Sequence, residues 1–236
     1  MKLLKKIRFN NSIEINIFNN VNDLYTITSE LFIEEFNKGL CIVSGGNTPK
    51  SIYKIISEKK NVQSNRKILL ADDRLVDEKN SLSNYKMLTE SLDIEYSDDY
   101  PIPYFNLLKS KGDSFLNNKI KKILEKNFLY SSFLGIGSDG HTASLFSETS
   151  NFNSEFSSFK VKNKFDDFDR YSLSYKSLMR SEQIVFLAIG FNKNKPLQEF
   201  FNNNIDFEKY PFHKLAANHK NVKFYCDNQA LRNIKL

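Results

Sequence analysis

The chain has 236 residues, 40% hydrophobic and 26% charged, with a net charge of +6. That length builds one large or two small domains around a real core, and the balance is that of a soluble globular protein. No apolar run approaches the ~20 residues of a membrane span, MKLLKKIRFNNS lacks the apolar segment and cleavage site of a secretory signal, and no RNA- or DNA-binding motif is present. A cytoplasmic protein with no membrane and no nucleic-acid partner is expected. Cys41 and Cys226 read as buried free thiols rather than a disulfide or metal pair. The basic residues from Lys119 to Lys122 and the N-terminal lysines read as a solvated helix face and a mobile end, on a surface suited to attracting a small anion.

In chain order, IEINIF (Ile13–Phe18) predicts a strand, and apolar residues at helical spacing predict a helix from Val21 to Lys38 stopped by Gly39. LCIVSGG is a buried strand running into a glycine turn, and TPKSIYKII opens a helix with Pro49 in its first turn. KILLADD predicts a third strand ending in acids. SLSNYKMLTESL predicts a helix capped by Ser81 or Ser83. DIEYSDDYPIPYFNLL reads as a looser region, followed by a helix around Asp113–Lys126 and the strand YSSFLGIG. RYSLSY, QIVFLAIG and NVKFYCD predict further strands. The alternation predicts one α/β domain over residues 1–236: a doubly wound, mostly parallel sheet with helices on both faces.

Ligands of such sheets sit outside the carboxyl ends of the strands. Ser44–Pro49, Asp72–Arg74, Gly135–His141 and Gly190–Lys195 all lie at those ends. SGGNTP, between strand and helix, lets backbone N–H groups approach an anion, yet it matches neither a Walker loop nor a dinucleotide fingerprint. Arg74 is placed to bind an anion or to stabilise charge developing on a carbonyl. In GIGSDGHTASLF, Asp139 and His141 flank Gly140. A carboxylate beside an imidazole fixes its tautomer and suits it to general-base work. Ser138 is not in a nucleophile elbow, because Gly137 directly precedes it. His141, His213 and His219 lack ligand-spaced partners for zinc.

With these blocks in view, the chain resembles the 6-phosphogluconolactonases. The resemblance runs through Ser44–Pro49, Asp72–Arg74 with Ser83-Asn84, Gly135–Phe146, Arg170–Leu173, Gly190–Lys195 and Tyr225–Asp227. It implies hydrolysis of 6-phospho-D-glucono-1,5-lactone to 6-phosphogluconate, with no cofactor and no metal, by a monomer or weak homo-oligomer. It also implies that Gly45, Gly46, Asn47 and Thr48, with Arg170 and Lys195, hold the substrate phosphate. Asp72 joins the binding set, the roles of Asp72 and Asp73 being open between catalysis and site architecture. Three positions depart from the family pattern: Asn47 for Ser or Thr, Asp73 for Glu, and Ser138 for a common Pro. The related glucosamine-6-phosphate deaminases continue after the histidine with Phe-Asn-Glu-Pro, whereas this chain reads Thr142-Ala143-Ser144-Leu145-Phe146, with Phe146 at the glutamate's place and Arg74 at a tyrosine's. The expected mechanism has His141 as general base on water, Asp139 as its orienting partner, and Arg74 serving either the oxyanion or the phosphate.

Overall fold

The computed structural model describes residues 3–59, 67–94, 100–147, 155–162 and 167–236. Its main sheet has seven strands: β1 (Leu3–Arg8), β2 (Ile13–Phe18), β3 (Leu40–Val43), β4 (Ile68–Leu70), β6 (Leu129–Gly135), β9 (Gln183–Ala188) and β10 (Val222–Asp227). They lie in the order β1-β2-β10-β9-β6-β3-β4, all parallel except the edge strand β1. A second, antiparallel sheet joins β5 (Asp72–Arg74), β8 (Arg170–Leu173) and β7 (Ser158–Val161).

The helices are α1 (Val21–Lys38), α2 (Asn47–Glu58), α3 (Asn84–Leu92), α4 (Tyr104–Lys111), α5 (Asp113–Lys126), α6 (Tyr175–Leu178), α7 (Asn194–Phe201) and α8 (Pro211–Asn218). Their starts follow local chemistry. The Asn20 side chain accepts from the Asn22 N–H at α1, and Ser83, rather than Ser81, accepts from the Lys86 N–H at α3.

Neighbouring residues of a strand point to opposite faces, so the aromatic contacts locate both helical layers. Phe133 of β6 stacks on Phe32 of α1, with ring centroids 3.6 Å apart. On the other face, Phe186 of β9 and its register partner Phe224 of β10 pack on Phe212 of α8, and Phe224 also meets Phe200 of α7. Each fully buried phenyl of this kind contributes about 1.5–3 kcal/mol over its exposed state.

Four expectations change. Lys5 and Lys6 belong to β1, an exposed edge strand whose charges discourage pairing with another chain, while residue 2 lies outside the described residues. The loose region holds α4 from Tyr104 onward, while 95–99 lie outside the described residues. RYSL is a strand, but of the second sheet. KILLADD likewise divides at Ala71, whose N–H donates to the Val43 carbonyl of the main sheet at 2.7 Å while its own carbonyl accepts from Leu173 N–H of the second at 2.8 Å. That division carries Asp72–Arg74 off the main sheet.

Candidate active site

The chain leaves β3 toward β4 on one side of the sheet and leaves β6 toward β9 on the other. A crevice opens at such a switch point beyond the carboxyl ends of the strands. Here it has a volume of about 200 Å³ and is lined by Ser44, Gly45, Asp72, Arg74, Asn84 and Gly137, together with His141, Ala143, Arg170 and Lys193 among others. The strand ends are tied together: the Ser44 hydroxyl accepts from Gly135 N–H at 3.4 Å, and Tyr53 donates to the Ser44 carbonyl at 2.7 Å.

After β6 the chain makes tight turns. Gly137 N–H donates to the His141 carbonyl at 2.8 Å, and Thr142 Oγ1 donates to the Gly135 carbonyl at 2.9 Å. This packing brings Asp139 back onto the imidazole, with Oδ1 2.6 Å from His141 Nδ1 and 3.2 Å from its backbone N. Gly137 makes the pairing possible, because a Cβ there would lie 2.1 Å from Nδ1 and 2.4 Å from Asp139 Oδ1. Burial opposes the charge on Asp139, but the hydrogen bond and charge of His141 outweigh it and hold the carboxyl at about 2. An ionised Asp139 selects the tautomer with the proton on Nδ1, leaving the Nε2 lone pair free. The imidazole is 32% exposed and packs against the Phe146 ring at 4.7 Å.

Opposite lies a cluster of cations. Arg74 and Arg170 are cross-strand partners and so share a face of the second sheet. Like charges so placed repel unless an anion joins them. Asp72 offsets them in part: its Oδ2 lies 3.8 Å from Arg170 Nη1 and accepts from Ser144 Oγ at 2.5 Å. The Arg170 guanidinium also lies over the rings of Phe146 and Phe168, at 5.5 and 5.6 Å. Lys193 adds a third cation; burial lowers its pKa and the charge of Asp139 works the other way.

Asp73 faces away from the crevice and caps α3. It is 1% exposed and accepts from the backbone N–H groups of Arg74, Asn84 and Tyr85. Burial nevertheless pushes its carboxyl up to about 7, against those donors.

Of the residues singled out in the sequence, His141, Arg74, Gly45, Gly46, Asp72 and Arg170 line one crevice, and Asp139 is bonded to its histidine. Asn47 and Thr48 open α2 beside it without lining it, so their backbone N–H groups are what they offer an anion. Lys195 does not line that crevice. It is exposed on α7, while Lys193, at the end of the turn Phe191–Lys193, lines the crevice. In GFNKNK the family pattern points to Lys195, and the turn before α7 is what brings Lys193 to the crevice. His213 and His219 are buried and bonded to the backbone carbonyls of Pro196 and Ser181. Among the described residues, no group of three or more His, Cys, Asp or Glu side chains is arranged to hold a metal ion.

A base-bearing turn facing clustered cations at the switch point of a parallel sheet defines an α/β enzyme for a small anionic substrate. The comparisons with known proteins narrow that class. Residues 19–224 match the family model described as Glucosamine-6-phosphate isomerases/6-phosphogluconolactonase, and the chain belongs to that family. The 6-phosphogluconolactonase of Haemophilus influenzae is 28% identical over 201 residues, covering 80% of this chain and 85% of that protein. That of Chlamydia pneumoniae is 30% identical over 185 residues, covering 74% and 69%. The solved 6-phosphogluconolactonase of Trypanosoma cruzi shares the fold with a TM-score of 0.78 at 19% identity, covering 98% of this chain and 99% of that one.

Proposed function

We infer that this chain hydrolyses 6-phospho-D-glucono-1,5-lactone to 6-phosphogluconate, the second step of the oxidative pentose phosphate pathway. The observation that carries the reading is the Asp139–His141 pair, with Nε2 free beside a crevice lined by Arg74, Arg170 and Lys193. A δ-lactone is an activated ester, so no covalent intermediate is needed. His141 Nε2 takes a proton from water as the water oxygen bonds to the lactone carbonyl carbon. The carbonyl oxygen becomes an oxyanion, which Arg74 is suited to stabilise. The C–O bond to the ring oxygen then breaks, and the imidazolium returns its proton to that oxygen as it leaves as a hydroxyl. Asp139 stabilises the imidazolium in between; a general base of this kind supplies ~10²–10⁴-fold.

Lys193, Arg170 and the backbone around Gly45, Gly46, Asn47 and Thr48 bind the phosphate in this reading. Holding that remote group turns binding energy into orientation at the carbonyl. The deaminase alternative is not favoured: Phe146 stands at the place of the deaminase glutamate, and a phenyl ring has no proton to exchange. Among the described residues no helix is long and apolar enough to cross a membrane, and a cytoplasmic monomer or weak oligomer is the setting we assign.

The test is acid release in a pH-stat from freshly generated 6-phosphogluconolactone, corrected for spontaneous hydrolysis, beside a parallel incubation with glucosamine-6-phosphate. Rapid lactone hydrolysis without ammonia supports the reading. Ammonia from glucosamine-6-phosphate with no enhancement of lactone hydrolysis overturns it.

A further inference from the structure

Asn84 opens α3, and its side chain links three segments that the sequence keeps apart. Its Oδ1 accepts from Arg74 Nη1 at 2.7 Å, and its Nδ2 donates to the Asp72 carbonyl at 3.0 Å. Its backbone N–H donates to Asp73 Oδ1 at 2.6 Å, so backbone and side chain are both anchored in β5. The residue is 3% exposed. Its carboxamide also fills the space beside the glycine turn: a Cβ on Gly45 would lie 1.9 Å from Asn84 Oδ1 and 2.1 Å from Cγ.

Among the described residues, Arg74 is thereby gripped on one nitrogen only. Nη1 donates to Asn84 Oδ1 and also to the Leu82 carbonyl at 2.9 Å. Nε is buried and has no partner among the described residues. A guanidinium carries five N–H donors in a rigid plane, so fixing Nη1 fixes the direction of the rest. With Nε buried, the plane of the guanidinium is set by the Nη1 bonds and by the packing around Nε.

We propose that Asn84 is the positioning residue for Arg74, holding Nη1 so that the guanidinium is aimed at a substrate oxygen in the crevice, and that Gly45 is glycine in order to admit the Asn84 carboxamide. Only a carboxamide fits both contacts, since it accepts from Arg74 and donates to the Asp72 carbonyl at once. Alanine does neither, and aspartate turns a second acceptor toward that carbonyl. The glycine pair read in the sequence as room for an anion thus has a second use at its first member. The proposal rests on the reading above that Arg74 touches the substrate.

Two mutant cycles on kcat/KM for the phosphorylated lactone test it. Asn84→Ala should lower kcat/KM about tenfold or more in the wild-type background, as misplacing a catalytic group does. In the Arg74→Ala background it should change kcat/KM by less than about twofold, because there is no guanidinium left to aim. The loss falls on kcat if Arg74 serves the oxyanion and on KM if it serves the phosphate. Gly45→Ala should cost about tenfold alone and under about twofold when combined with Asn84→Ala, where the methyl group has room.

Equal losses in both backgrounds of either cycle would overturn the corresponding half of the proposal. If Asn84→Ala does not fold, as judged by thermal unfolding, Asn84→Ser replaces it; failure of both to fold would make Asn84 a scaffold residue and overturn its positioning role. Failures of the underlying reading look different. A wild-type protein without lactone turnover refutes the activity, and an Arg74→Ala protein with wild-type kinetics refutes the role of Arg74.

Discussion

Gly137→Ala probes the site through a single methyl group. The new Cβ would lie 2.1 Å from His141 Nδ1, 2.4 Å from His141 Cε1 and 2.4 Å from Asp139 Oδ1. Ordinary contact begins near 3.4 Å, so the imidazole must retreat by about 1.3 Å. Gly137 has no positive φ, so the backbone itself accepts alanine without strain. The ring is 32% and the Asp139 carboxylate 59% exposed, and both relieve the clash by moving toward solvent. The fold therefore changes little, within ~1 kcal/mol, while a base displaced by ~1 Å costs on the order of 10²-fold in rate. The assay is pH-stat turnover of the phosphorylated lactone at saturating substrate, with thermal unfolding measured alongside. The expected result is kcat lower by about 10²-fold at a nearly unchanged Tm. A kcat within about threefold of wild type would refute the claim that this pair, in this position, performs the chemistry.

Further outcomes follow from the same geometry. Lys193→Met should raise KM for the phosphorylated lactone about tenfold or more while leaving hydrolysis of unphosphorylated gluconolactone unchanged, whereas Lys195→Met should leave both as in wild type; the reverse pattern would return the phosphate to Lys195. Asp139 is held at about 2 in the folded chain against an ordinary 3.8. Its stabilising contribution is therefore present above 3.8 and lost as pH falls through about 2, so Tm of the wild type should drop more steeply over that range than Tm of Asp139→Asn. Parallel curves would contradict the pairing. Asp73 has the opposite sign: the unfolded chain releases its proton near 3.8 and the folded chain holds it to about 7. Stability should decline as pH rises between those values, and Asp73→Asn should remove that slope.

The sequence was legible where burial is complete. β3 and β9 are parallel strands buried along their whole length, and such strands read as near-continuous apolar runs. The glycine-bounded acid and histidine of Gly135–His141 stood out because few side chains tolerate such tight turns. β1 was hidden because an edge strand carries lysines that resemble a disordered end. The division of KILLADD at Ala71 has no local signal; it depends on which carbonyls and N–H groups two different sheets offer. Lys193 ends a 3₁₀ turn while Lys195 lies in the first turn of α7, and no local pattern separates the two. The contact of Asn84 with Gly45 joins residues far apart in sequence, which no periodicity reveals.

The whole account turns on a proton moving to His141 Nε2, and replacing that nitrogen base while keeping the pocket tests it most directly. His141→Asn should lose most turnover of 6-phosphogluconolactone, about 10²-fold or more, while binding 6-phosphogluconate, measured by calorimetry, within about threefold of the wild type. Turnover at the wild-type rate in that variant would contradict it.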